Sequence, residues 1–252
     1  MPSEGDAPRA DFALPPLPPA PRRVLLFVAM EGEAAPIVDA LRLARAGDAS
    51  IGRVGNAEVT LVTPGVDPAT QVDRIGPVHA AVALSRALLA AREPFDLVVN
   101  AGTAGGFEAQ GQRIADLVVA RDTMFHDARV ALAGYGAVAR AHTRLSAGDA
   151  TLARMAAALD ARVGLVSTGS SLDATADELA LFARHGALAK EMELAALALA
   201  CREHGLPLVA LKGITDLVDH HEPTHEAFLR NLSRTSARVA NAVGVLLAEC
   251  VA

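Results

Sequence analysis

Apolar residues along this chain fall into short continuous runs separated by longer stretches at helical spacing, and that alternation predicts its elements. VLLFVA (24–29), FDLVVN (95–100), DLVVARD (116–122), RVGLVST (162–168) and PLVALKG (207–213) read as strands, the first two fully buried. Helical spacing covers Glu31 to Leu43, residues 76–92, 149–159, ELALFARH (178–185) and 192–205, the last stopped by Gly205. A long helix follows Pro223, and a hairpin is expected around Gly55-Asn56. AGTAGG is expected to break the strand sharply after Asn100, and a looser stretch holds Gly134, Tyr135 and Gly136. Strands alternating with helices predict one α/β domain over residues 23–252, with a mixed, largely parallel central sheet flanked by helices. Ligands of such sheets bind beyond the carboxyl ends of the strands, so the polar residues there are the ones to weigh.

Composition narrows the function. No apolar run reaches the roughly 18 residues of a bilayer span, although 52% of the chain is hydrophobic. Net charge is −6 with no dense Lys/Arg cluster, which disfavours a nucleic-acid partner. Cys201 and Cys250 have no metal spacing and read as reduced structural thiols, which fits a cytoplasmic enzyme. Residues 1–22 carry acids and a Pro cluster and are expected to form a flexible arm rather than an export signal. Lys190 and Lys212 are the only lysines.

Each candidate group has a plain structural explanation beside its chemical one. Glu31 and Glu33 suit the first turn of a helix dipole, but a carboxylate there also suits activation of water. The glycines of NAGTAGG (100–106) make a tight turn or let backbone approach a ligand; neither a dinucleotide fingerprint nor a P-loop is present. In Lys190-Glu191-Met192-Glu193, the acids either start a helix or grip sugar hydroxyls, and the Met fills core or packs on a sugar face. Asp216, after Thr215, is a helix cap or a buried acid that donates a proton to a leaving group. His220, His221 and His225 with Glu222 match no helical zinc motif and read as a solvated loop. His126-Asp127 is either a surface turn or a loop contact to substrate or partner.

Seven segments occur in a telling order: AMEGE (29–33), NAGTAGGF (100–107), FHDARV (125–130), STGSSLD (167–173), KEMELAALA (190–198), LKGITDLVD (211–219) and PTHEAFLRNL (223–232). Together they resemble the methylthioadenosine/S-adenosylhomocysteine nucleosidase family of the nucleoside phosphorylase superfamily, especially its plant-type branch, over roughly residues 23–245. The resemblance implies a nucleoside phosphorylase-like fold. It implies that Glu33 activates the attacking water and that Asp216 protonates adenine N7 and holds the 6-amino group. Glu193 would grip the ribose hydroxyls, Met192 would pack on the ribose and Met30 would line the pocket. Thr103 would lie near sugar and water, and Leu172 would hold the purine through its backbone. Ala104, Gly105, Lys190, Glu191 and Thr215 complete the implied substrate-binding set. A homodimer is implied too, in which the partner subunit completes the alkylthio pocket through the 122–136 loop.

The chemistry is coherent on its own terms. Breaking a ribosyl C–N bond develops positive charge on the sugar and expels a poor nitrogen leaving group. An acid on the base, an anion on the sugar and an activated water answer those needs, without metal or organic cofactor. A phosphorylase must hold a phosphate dianion, usually with arginines. Val98-Val99-Asn100-Ala101 offers none, and Glu33 would repel phosphate. Water is therefore the favoured nucleophile; the alternatives are a purine nucleoside phosphorylase, a hydrolase of a futalosine-like nucleoside, and a nucleoside-binding sensor. An aromatic that some bacterial members place before the final helix is expected to be missing, since Thr224 and His225 lie there, and Glu191 stands where plant-type members have Asp.

Overall fold

The computed structural model describes residues 11–130, 132 and 135–251. In chain order it contains β1 (Phe12–Ala13), β2 (Arg23–Phe27), α1 (Glu31–Leu41), β3 (Ala44–Ala46), β4 (Ala49–Val54), β5 (Ala57–Val62), α2 (Pro77–Ala90) and β6 (Leu97–Gly106). There follow β7 (Leu117–Phe125), α3 (Tyr135–Ala139), β8 (Thr143–Arg144), α4 (Asp149–Leu159), β9 (Ala161–Thr168), α5 (Ala176–His185), β10 (Ala187–Glu191), α6 (Leu194–Glu203), β11 (Leu208–Leu217) and α7 (Thr224–Val251). The strands form one mixed sheet, ordered β1-β8-β7-β9-β10-β6-β2-β5-β4-β3, with β11 pairing both β6 and β7. The parallel pairs include β2 with β5 and β6, β6 with β11, and β9 with β7 and β10. Because β10 also meets β6, the strands β6, β11, β7, β9 and β10 close a ring.

Burial follows the strand period of two. In β2, Val24 and Leu26 face a core layer with Ile37 of α1, Met155 of α4 and Val243 and Leu246 of α7. Leu25 and Phe27 face the opposite layer, with Ala80 and Leu84 of α2 and Leu194 and Leu197 of α6. Strands covered on both sides must be apolar throughout, which is why they read as continuous runs. α1 ends at Leu41, two residues before the expected limit, because Arg42 turns left-handed at φ 54° and its N–H bonds back to the Asp39 carbonyl. The hairpin at Gly55-Asn56 joins β4 and β5 as expected.

Four expectations change. AGTAGG does not break its strand: β6 continues to Gly106, paired with β11 throughout, since its glycines serve close approach and not a turn. The strand from Pro207 likewise runs on to Leu217, so Asp216 lies on a strand and is no helix cap. Residues 187–191 form a strand, and α6 begins at Leu194 rather than 192. Finally, residues 11–22 of the expected arm lie on the domain. Phe12–Ala13 pair with Thr143–Arg144, Leu14 is buried, Leu17 packs on the core and the Arg202 guanidinium sits 4.2 Å over the Phe12 ring. Apolar residues between the prolines supply that anchorage. Residues 1–10 of the arm, and Gly134 of the looser stretch, lie outside the described residues.

Candidate active site

One cavity opens where β6, β10 and β11 meet the start of α1. It is lined by Met30, Glu33, Thr103, Ala104, Gly105, Leu172, Lys190, Glu191, Met192, Glu193, Thr215 and Asp216, so the structure brings together every site residue expected from the sequence. It adds residues that sequence reasoning missed: Ile75, Lys212 and Phe228. The His225 side chain is largely exposed and stands outside the lining, and the aromatic of the cavity, Phe228, comes from within α7 rather than from the position before it. Only helical phase measured from the start of α7 would have found it.

The first turn of α1 delivers Glu33. Its backbone N–H bonds to the Met30 carbonyl, and the side chain turns inward, 4% exposed. Thr103 holds the carboxylate twice at Oε1, from its N–H (2.7 Å) and from Oγ1 (2.5 Å). Gly102 makes the approach possible, since a Cβ there would lie 3.2 Å from Glu33 Oε2. Burial raises the Glu33 pKa, opposed by the Thr103 bonds and by the charge of Lys212. A carboxylate so poised can accept a proton from water.

Glu191 and Glu193 flank Met192 but do different things. The Glu191 carboxylate is engaged within the protein: it accepts from the N–H groups of Glu193 and Leu194 at the head of α6, from Thr168 Oγ1 (2.5 Å) and from Lys212 Nζ (2.9 Å). This is a helix cap and a buried ion pair. Glu193 Oε1 accepts from the Gly76 N–H (2.8 Å), a glycine whose φ of 96° few other residues adopt. Burial and the neighbouring Glu191 push the Glu193 pKa up to about 7, against the pull of Lys212. Burial opposes the charge of Lys212, yet Glu191, Glu193 and Glu33 together raise its pKa.

Asp216 lies across the cavity floor on β11, just past a bulge that displaces Thr215 from the ladder. Thr215 Oγ1 donates to Asp216 Oδ1 at 2.8 Å. Burial raises the Asp216 pKa, while the Thr215 bond and the charge of Lys190 restrain it. A carboxyl with a raised pKa can stay protonated and donate. Beside it, Lys190 Nζ donates to the carbonyls of Ser171 and of Leu172 (3.1 Å), fixing the turn that brings Leu172 into the cavity. The same turn is braced from outside. Asp127 Oδ2 accepts from the Ser170 N–H (2.8 Å), and His126 packs on Gly169, where a Cβ would meet its Nε2. His126 is thus no surface residue. It is 2% exposed, 3.0 Å from Ser167 Oγ and edge-on to Phe182, and burial and Lys190 push its pKa down to about 4. Among the described residues no group of three or more His, Cys, Asp or Glu is placed to hold a metal ion.

Known proteins resemble this chain along most of its length. The family model described as the phosphorylase superfamily matches residues 23–248. A 5′-methylthioadenosine nucleosidase of Arabidopsis thaliana is 33% identical over 224 residues, covering 85% of this chain and 82% of the relative. A 5′-methylthioadenosine/S-adenosylhomocysteine nucleosidase of the same organism is 32% identical, covering 86% of this chain and 87% of the relative. The solved structure of the Arabidopsis thaliana 5′-methylthioadenosine nucleosidase in apo form superposes with a TM-score of 0.85 at 29% identity, covering 92% of this chain and 96% of that one. The chain belongs to the methylthioadenosine/S-adenosylhomocysteine nucleosidase family, on its plant-type side, within the phosphorylase superfamily.

Proposed function

We propose that this protein hydrolyses the N-glycosidic bond of a 5′-modified adenine nucleoside, methylthioadenosine and/or S-adenosylhomocysteine, to adenine and the 5-modified ribose. The observation that carries the reading is one cavity holding two buried carboxyls, Glu33 and Asp216, both with raised proton affinity and each held by a different threonine. Asp216 gives its proton to N7 as the C–N bond lengthens. Glu193 accepts hydrogen bonds from the ribose hydroxyls and offsets the charge developing on the sugar. Met192 and Met30 pack against the sugar side, and Leu172 offers its backbone to the purine. Glu33, held by Thr103, takes a proton from the attacking water. Water is the nucleophile because Glu33 would repel a phosphate dianion and, among the described residues, no arginine lines the cavity. The catalytic domain spans residues 23–252, with residues 11–22 laid against it.

The active form is a homodimer. α2 turns Val78 and Leu89 to solvent, 72% and 79% exposed, with Val82 on the same helix and Leu199 nearby on α6, an apolar face that suits a two-fold contact. The 122–136 loop is the segment expected to complete the partner's pocket, and Val130 and Tyr135 are exposed on it. Sedimentation at the mass of one chain refutes the dimer. Among the described residues no helix is long and apolar enough to cross a membrane, and two free buried cysteines suit the reducing cytoplasm.

The decisive test is adenine release from methylthioadenosine and from S-adenosylhomocysteine in phosphate-free buffer. Release without phosphate is expected. Release only on adding phosphate, with ribose-1-phosphate formed, marks a phosphorylase; no release from any of several 5′-modified adenosines overturns the hydrolase.

A further inference from the structure

An acid that must both hold and release its proton needs a tuned surrounding, and one buried cation faces Asp216. Gly105 of β6 is the register partner of Lys190 on β10 and of Asp216 on β11. Directly opposed residues project to one face of a sheet, so the two side chains rise on the same side with a glycine between them. A Cβ on Gly105 would lie 2.5 Å from Val218 Cγ2 and 2.7 Å from Asp216 Oδ2, so the bare glycine is what lets the carboxyl lie over β6 at the position paired with Lys190. Lys190 is 3% exposed and bonded to the Ser171 and Leu172 carbonyls.

We propose that Lys190 is a positioning residue with two duties: it fixes the Ser171–Leu172 backbone against which the purine lies, and it supplies the positive charge that lets Asp216 part with its proton. The inference rests on the reading of Asp216 as the general acid. Both duties fall on one side chain because the purine and its proton donor must keep one geometry. Burial alone lowers the Lys190 pKa; Asp216, Glu178 of α5, Glu191 of β10 and Asp173 of the turn act against that, and His126 at the end of β7 feels the lysine in return. Lys190 restrains Glu178 as well as Asp216, and of the two only Asp216 lines the cavity. Without the cation, ionising the Asp216 carboxyl is harder.

The test is the pH profile of kcat/KM for Lys190→Met and Lys190→Arg beside the native enzyme. In Lys190→Met the alkaline limb, where the acid loses its proton, moves to higher pH. In the same variant kcat/KM at neutral pH falls by roughly tenfold or more as the purine turn loosens. Lys190→Arg keeps the charge and leaves the limb in place. A lysine that merely filled space would lower activity and leave the limb where it was. Superposition of the Lys190→Met limb on the native one therefore overturns the proposal. If Lys190→Met does not fold, Lys190→Gln, which keeps a donor but not the charge, is read in the same way. Asp216→Asn separates the two layers of the argument: native turnover there removes the acid itself, whereas an inactive Asp216→Asn with an unmoved Lys190→Met limb removes only the role of Lys190.

Discussion

The chain's only two lysines are buried in the same site, and they fare oppositely. Lys212 stands 2.9 Å from Glu191 and near Glu193 and Glu33, and its pKa rises despite complete burial. Lys190 is bonded to two backbone carbonyls and its pKa falls. Burial disfavours any charge; a carboxylate in contact restores it, and carbonyl dipoles do not fully do so. The difference divides the site. Under the proposed roles, Lys212 belongs to a water-and-sugar half, rich in negative charge and held together by one cation. Lys190 belongs to a leaving-group half, with a carboxyl of raised pKa and a cation proposed to limit how firmly it keeps its proton.

The largest expected effect lies in the second half. Asp216→Asn keeps the shape of the side chain but has no proton to give, so turnover falls by roughly 10²–10⁴-fold while the thermal midpoint stays near that of the native protein. Near-native turnover would erase the division just drawn.

Next comes the cation of the first half. Lys212→Met leaves the Glu191 carboxylate buried without its ion-pair partner, and stability at neutral pH falls by about 3–5 kcal/mol, read as a lower denaturant midpoint. Lys190→Met should cost less, since no ion pair to Lys190 is broken. Equal losses in the two variants would show that the lysines are not different in kind.

The smallest effect is graded with pH. Burial and Glu191 push the Glu193 pKa up to about 7, so kcat/KM falls below roughly pH 7 as the sugar-gripping anion takes up its proton. Its effect on stability has the opposite sign. The folded pKa exceeds the ordinary 4.5, so the native state binds the proton more tightly, and stability from this group is present at low pH and lost as pH rises towards about 7. Acidifying the substrate-free protein from pH 7 should therefore strengthen this part of the fold while activity drops. Glu193→Gln should weaken that pH dependence, leaving the share of Glu33 and Asp216; an unchanged curve would assign all of it to those groups.

Legibility followed the range of the interactions. Strands such as Val24–Phe27 were plain in the sequence, because covering both faces demands unbroken apolar residues. Asp149–Leu159 emerged with its expected limits. The polar residues after strands pointed to Glu33, Thr103 and Asp216. The strand Ala187–Glu191 was hidden because it is short and merges into the apolar start of the next helix. The glycines of AGTAGG misled because a glycine that permits a turn looks the same as one that makes room for Glu33 or Asp216.

The sequence by itself determined the alternation of elements, the single α/β domain and the chemical kinds of group in the site, because those depend on side-chain polarity and local spacing. Tertiary structure alone decided what each group does. The ring of β6, β11, β7, β9 and β10 brings Lys190 and Asp216 to either side of Gly105, although 85 and 111 residues separate them from it along the chain. The tertiary fold also sets Lys212 against Glu191 and binds Glu193 to the Gly76 N–H. Charge, burial and proton affinity arise from such distant neighbours, and no local pattern of residues contains them.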